Sequence, residues 1–142
     1  TGKLREERKP MLDREDYKRM LKETGFTHEI ATKQSENTKD RQDIDIQALG
    51  LEIKESNIHG LGMFTTKIIK KDEIIGIARS RRYRTQLGRY INHSFSPNAI
   101  MKNEERNINA VALENIESGN EITVNYRDSI KAVREGGTIC QV

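Results

Sequence analysis

Twelve consecutive residues, Leu87-Gly88-Arg89-Tyr90-Ile91-Asn92-His93-Ser94-Phe95-Ser96-Pro97-Asn98, restrict this chain more than any other stretch. They suit no regular element. Pro97 removes a backbone donor, and the side chains of Asn92, Ser94, Ser96 and Asn98 compete with backbone pairing. Leu87, Tyr90, Ile91 and Phe95 nevertheless supply enough apolar surface to hold the segment inside a domain. An irregular segment held inside must have its backbone polar groups satisfied by something, and a bound ligand is one candidate.

The first ten residues are almost all charged or small. Residues 1–10 read as a frayed arm. A short helix is expected around 13–23, with Asp13 as cap, Glu15 and Asp16 in the first turn, Tyr17 and Leu21 at i and i+4, and Gly25 to end it. From Thr27 to Asp43 little is apolar beyond Ile30 and Ala31, the composition of a linker. Residues 1–44 therefore form the expected arm and 45–142 the expected domain. Within that domain the motif-bearing part is 50–127 and the tail is 128–142. Leu49, Leu51 and Ile53 alternate with polar residues, the period of a half-buried strand. Short strands are predicted at Leu51–Glu55, Met63–Thr65, Glu73–Arg79, Ala99–Lys102, Ile108–Leu113 and Glu121–Asn125, with one helical turn around Ile130–Val133.

Thr66 to Ile75 echoes Leu113 to Ile122 at an offset of 47 (116 − 69). Two copies are too few for a solenoid. They suit either a pseudo-symmetric pair of hairpin units or convergent turn chemistry.

Totals narrow the classes. At 142 residues the chain fits one domain, and its net charge of +3 is a small difference between 25 basic and 22 acidic residues. Nucleic-acid binding is possible on that charge but not argued by it. No run approaches the roughly 18 apolar residues of a membrane span, and no leader precedes a small-residue cleavage site, so the expected location is intracellular, cytoplasmic or nuclear. The single cysteine, Cys140, forbids an internal disulfide or a multi-cysteine zinc cage, and three scattered histidines make a metal site unexpected.

Three motifs carry the chemistry. In Ser56-Asn57-Ile58-His59-Gly60-Leu61-Gly62-Met63-Phe64, two glycines one residue apart allow close backbone approach and positive φ, although an ordinary hairpin turn does the same. No third glycine or helix follows, which excludes a dinucleotide fingerprint. Gly119-Asn120-Glu121-Ile122-Thr123-Val124-Asn125-Tyr126 is a turn and a strand ending in a tyrosine, by itself a packing residue. His93 alone is an ordinary loop histidine, and adjacent Ser94 and His93 do not make a nucleophile pair.

Taken together, Arg89-Tyr90-Ile91-Asn92-His93-Ser94-x-x-Pro97-Asn98 resembles the R-F-x-N-H-S-x-x-P-N motif of the SET-domain family. Gly60-Leu61-Gly62-x-Phe64 resembles that family's G-x-G-x-F. Residues 119–126 resemble its G-E-E-[LI]-T-x-[DN]-Y, with Asn120 in place of the first glutamate and Asn125 where aspartate is common. The resemblance implies a mainly β fold with a little α. This is a β-clip-like arrangement of short strands in small sheets, with a knot-like crossing of the second and third motifs and an N-terminal helix. It implies S-adenosylmethionine-dependent methylation of a lysine in a protein or peptide, releasing S-adenosylhomocysteine. Tyr126 would be catalytic. His59, Gly60, Leu61, Gly62, Arg89, Tyr90, Asn92, His93 and Tyr126 would bind the cofactor, and Tyr83, Ile91 and Met101 would line the lysine channel. The family's cysteine-rich closing segment is missing and only 29 positions separate Gly62 from Ile91 (91 − 62). The tail, a partner subunit such as a second copy, or the N-terminal arm must then cover the site.

A rival reading is a catalytically silent SET-like module that binds a peptide or nucleic acid through Arg79-Ser80-Arg81-Arg82-Tyr83-Arg84. Ala31-Thr32-Lys33-Gln34-Ser35 looks like a histone H3 tail, which makes Lys33 a candidate self-substrate beside the plainer reading of a solvated linker.

Overall fold

A computed structural model of the chain describes residues 10–25 and 40–136; Lys33 and Cys140 lie outside them. The elements are α1 (Pro10–Thr24), β1 (Leu51–Glu55), β2 (Leu61–Thr65), β3 (Ile74–Ser80), β4 (Tyr83–Arg84), α2 (Gln86–Tyr90), β5 (Asn92–His93), β6 (Ala99–Glu104), β7 (Asn107–Ala112), β8 (Glu121–Val124) and α3 (Tyr126–Gly136). They make two four-stranded sheets, β1-β2-β8-β5 and β4-β3-β7-β6. The fold is mainly β, in short strands and small sheets with an N-terminal helix, as expected. No described helix is long and apolar enough to cross a membrane.

The period-two pattern at Leu51 and Ile53 is used as read: β1 pairs antiparallel with β2, Leu51 opposite Thr65 and Glu55 opposite Leu61. Met63, Leu87, Ile91, Ile122 and Val124 are all buried in one continuous core with Met101, Ile108 and Ala110 from the other sheet. The segment after Asp40 runs across the expected 44/45 boundary onto the sheet edge. Arg84 N–H donates to Asp40 O at 2.6 Å, and the Gln86 amide closes on both backbone groups of Ile44.

The 47-residue echo is a spatial fact. Ile69 and Ile116 bridge each other, Ile69 N–H donating to Ile116 O at 2.9 Å and Ile116 N–H to Ile69 O at 2.7 Å. Thr65 N–H donates to Asn120 O at 3.1 Å; shifted by the offset, Ala112 N–H donates to Glu73 O at 3.0 Å. Gly119 N–H reaches Thr65 O at 2.7 Å, and its counterpart Asp72 N–H reaches Ala112 O at 2.8 Å. Asp72 and Gly119 occupy equivalent turn positions, both left-handed at φ 70° and 90°. The two copies thus pair about a local twofold axis through the Ile69–Ile116 bridge.

Three expectations need correction. Residues 87–90, read as irregular, belong to the short helix α2 because Thr85 caps it: its Oγ1 accepts from Gly88 N–H, and Leu87 is driven into the core. Gly88 fits there because a Cβ would strike the Ala78 carbonyl. The single turn expected near Ile130 is instead α3, beginning at Tyr126, because the Asn125 side chain accepts from Arg127 N–H at 3.0 Å and caps it. Asp13 does not cap α1, which starts at Pro10, and its buried residues are Asp13, Asp16 and Met20, while the expected i, i+4 pair Tyr17 and Leu21 is only half-buried.

Candidate functional site

The three motifs meet at the end of β8. Asn92 and His93 form β5, which lies parallel to β8 with Asn92 opposite Thr123 and His93 opposite Val124. This is the contact a crossing of the second and third motifs requires. Two residues exhaust the ladder. Beyond it Asn98 takes over, its amide donating to Glu121 O at 2.8 Å while its Oδ1 accepts from Thr123 N–H at 2.9 Å. An irregular segment is therefore held inside the domain because its own side chains replace the missing backbone partners.

Asn92 joins this seam to the glycine loop. Its Nδ2 donates to His59 O at 3.1 Å, Leu61 O at 3.2 Å and Glu121 Oε2 at 2.8 Å. Glu121 in turn accepts from Ser56 Oγ at 2.8 and 2.9 Å. Gly62 must be glycine here, since a Cβ would run into the Glu121 carboxylate and lie 3.1 Å from Asn92 Nδ2. Gly60 answers a different need. It sits at φ 46°, with nothing within 4 Å of where a side chain would begin, so its outer face is open.

Tyr126, the first residue of α3, turns back over β5. Its hydroxyl donates to Ile91 O at 2.8 Å, and its backbone N–H donates to His93 Nδ1 at 3.0 Å. Burial pushes the phenol well above its ordinary range, so it remains neutral at any physiological pH. It is a hydrogen-bonding group rather than a base.

His93 is fixed on its other side by α1. Its Nε2 lies 2.7 Å from Asp16 Oδ2. A backbone amide only donates, so Nδ1 must offer a lone pair and the single ring proton must sit on Nε2, facing the carboxylate. Burial holds the imidazole below its usual pKa, against the opposing pull of Asp16. Arg127 grips Asp16 with two nitrogens, Nη1 to Oδ2 at 2.8 Å and Nη2 to Oδ1 at 3.1 Å, and its Nε reaches Glu23 at 2.6 Å. That guanidinium, ahead of the effect of His93, keeps the Asp16 carboxyl below the ordinary carboxylate range although burial opposes it. Asp13 accepts from Ser94 Oγ at 3.0 Å and from Phe95 N–H at 3.1 Å. Tyr17 packs edge-on against Tyr126, ring centroids 5.9 Å apart.

Most of the expected residues converge: His59, Gly60, Leu61, Gly62, Ile91, Asn92, His93 and Tyr126 share one network. Others point elsewhere. Arg89 bonds Arg84 O at 3.1 Å and Asp43 at 3.0 Å, away from the glycine loop, and Tyr90 packs on the core. Met101 is buried opposite Ala110 in the second sheet. Tyr83 lies on edge strand β4, its ring 5.3 Å from the Arg82 guanidinium. In the basic patch, Arg84 is paired with Asp40 at 2.8 Å and Arg79 reaches Arg82 O at 3.5 Å, so part of that charge braces the hairpin.

Sequence reasoning missed Asp13, Asp16 and Tyr17, as well as the parts played by Glu121, Asn98 and Arg127. A signal existed for the first three. Positions 13, 16, 17 and 20 are spaced i, i+3, i+4, i+7, so two acids share the helix face that carries Tyr17 and Met20. Acids on a buried face demand partners.

Residues 76–127 match the family model of the SET domain. No curated protein matches the chain in sequence. Among solved structures, one from Plasmodium falciparum, assigned as a histone methyltransferase, aligns at 27% identity and TM-score 0.45 over 54% of this chain and 92% of its own. A humanised mutant of the Chaetomium thermophilum Polycomb Repressive Complex 2, bound to an inhibitor, aligns at 22% identity and TM-score 0.48 over 55% of this chain and 15% of its own. The family match begins inside β3 and ends just past Tyr126, so it takes in the second and third motifs and the seam that joins them. Over residues 76–127, then, the chain is similar to the SET domain.

Proposed function

We propose that this protein transfers methyl groups from S-adenosylmethionine to the side-chain amine of a lysine in a protein substrate. The observation that carries the reading is the convergence at one point of the Tyr126 hydroxyl, the Ile91 carbonyl and the Asn92-tethered glycine loop. The residues fit the cofactor. The His59–Leu61 loop is exposed, and its carbonyls of His59 and Leu61 are drawn inward by Asn92 while Gly60 stays open outside. S-adenosylmethionine, held by His59 to Gly62 with Asn92 and His93, supplies an electrophilic methyl group when bound.

The chain's own part is positioning and desolvation. A lysine ammonium near pKa 10.4 has no lone pair to attack with; burial in an apolar channel favours the neutral amine, so no strong base is needed. Tyr126, neutral and tethered to Ile91 O, keeps oxygen lone pairs to accept an N–H of that amine and orient its attack. Holding the reacting atoms in line is worth several kcal/mol.

Calorimetric titration with S-adenosylmethionine and S-adenosylhomocysteine, on wild type and on Asn92→Ala, tests the reading. Binding should weaken at least about tenfold in the variant. Tyr126→Phe should retain binding and lose methylation of a lysine-peptide panel by about 100-fold. A folded wild type that binds neither compound would sink the reading and move attention to the silent module.

A further inference from the structure

Helix α1 lies outside the family match, yet it touches every segment that carries a motif. Arg14 donates to the Ile58 and Asn57 carbonyls, at 3.2 and 3.3 Å, at the entrance to the glycine loop. Asp13 holds Ser94 and Phe95, Asp16 holds His93 and Arg127, and Tyr17 rests against both His93 and Tyr126. Asp13 and Asp16 are 2% and 3% exposed. Two acids on a solvated arm would not be buried to this degree; they are held by donors built to receive them.

We propose that α1 is an in-cis positioning clamp, and that Asp16 sets the catalytic geometry by holding His93 in the tautomer that anchors the backbone of Tyr126. The chain of bonds is short and directional. Asp16 accepts the Nε2 proton, so Nδ1 is left with its lone pair. That lone pair receives Tyr126 N–H, which sets where α3 starts and therefore where the phenol hydroxyl meets Ile91 O. With the proton on Nδ1 instead, two N–H groups would face each other at 3.0 Å and the anchor would be lost. Arg127 prevents Asp16 from turning away, since both carboxylate oxygens are engaged. Asp16 touches no reacting atom in this arrangement. It is a positioning residue acting through His93, and its role in methyl transfer rests on the function proposed above.

The test uses the full 142-residue chain labelled with 15N-histidine. Long-range 1H–15N spectra assign the ring proton of His93 in wild type, Asp16→Ala and Asp16→Asn, with thermal melts to establish folding. Wild type should show a single neutral tautomer with its proton on Nε2. Asp16→Ala should mix the tautomers and lower kcat about 10- to 100-fold, while S-adenosylhomocysteine affinity changes less than about threefold. Asp16→Asn keeps an oxygen to accept the Nε2 proton and should restore the single tautomer and most of kcat. A clamp that is only structural would lower the melting temperature of both variants alike and leave the tautomer untouched; that result, or a wild-type proton on Nδ1, overturns the proposal. Should Asp16→Ala not fold, Asp16→Asn with a mixed tautomer and full kcat would overturn it equally. A locked tautomer in a protein that binds no cofactor supports the clamp and sinks the methyl-transfer reading, so the two failures are separable.

Discussion

The two copies of the 47-residue echo share a turn and part company at the strand that follows. Position 74 in the first copy corresponds to 121 in the second (121 − 47). Ile74 is 54% exposed and Glu121 is 9% exposed, the reverse of what their hydrophobicity suggests. The neighbours explain it. Strand β3 runs between β4 and β7, where Ile74 opens onto solvent and Ile75 turns into the core. Strand β8 runs between β2 and β5, where Glu121 finds Ser56 and Asn92 as donors. A buried carboxylate is tolerable only with such partners. One turn geometry thus supports two strands, and the donors beside each strand decide which one carries the site.

This contrast can be broken at the axis. Ile69→Ala and Ile116→Ala each empty a fully buried position on the pseudo-twofold, and each should cost about 3 kcal/mol by urea denaturation. Unequal losses, differing by more than about 1.5 kcal/mol, would show that the two copies do not share the load. Glu121→Ala follows closely. It removes the carboxylate that accepts from the Asn92 amide and the Ser56 hydroxyl, leaving Asn92 only the His59 and Leu61 carbonyls, so about 2–3 kcal/mol should be lost along with affinity for the proposed cofactor. Its counterpart Ile74→Ala should cost under about 0.5 kcal/mol.

The glycines of the loop sharpen the same distinction. Gly62→Ala forces a Cβ against the Glu121 carboxylate and should cost roughly 2 kcal/mol. Gly60→Ala meets open space and bears only the strain of its positive φ, about 1 kcal/mol. Equal melting temperatures for the two would contradict the close approach seen at Gly62.

A further effect is in pH. His93 is faced by Asp16 and Tyr17 of α1, by Tyr126 and Arg127 of α3, and by Asp13. Its pKa is lowered in the folded state, so the unfolded chain takes up the proton first. The contribution is fully present above the ordinary histidine value near 6.5, and stability falls as pH drops through it. The slope is bounded by the one-proton value of about 1.4 kcal/mol per pH unit, and should flatten in His93→Gln. A wild-type profile flat from pH 7 to about 5 would mean that His93 is not held neutral.

Much of this was legible from residues alone because the relevant signals are local. Alternation at Leu51 and Ile53 marks β1, Asp72 and Gly119 mark the turns, and the three motifs name the segments of the site. Helix α2 was missed because its only strong signal is the Thr85 cap, and α3 was cut short because Asn125 was read as a departure from a motif rather than as a cap. Arg89 was assigned to the cofactor by its motif, yet its guanidinium answers Asp43 and Arg84 O from a segment no motif covers.

The sequence by itself determined where most strands and turns fall and which segments bear the motifs, because period, turn propensity and side-chain type act over a few positions. Only the tertiary structure decided that Asn92 meets Glu121 across 29 positions, that His93 receives its proton acceptor from Asp16 across 77, and that an acidic helix belongs to the site. Those are pairings between distant groups. Each polar side chain offers bonds to any complementary partner, and the buried core that brings two particular ones together is a property of the whole chain.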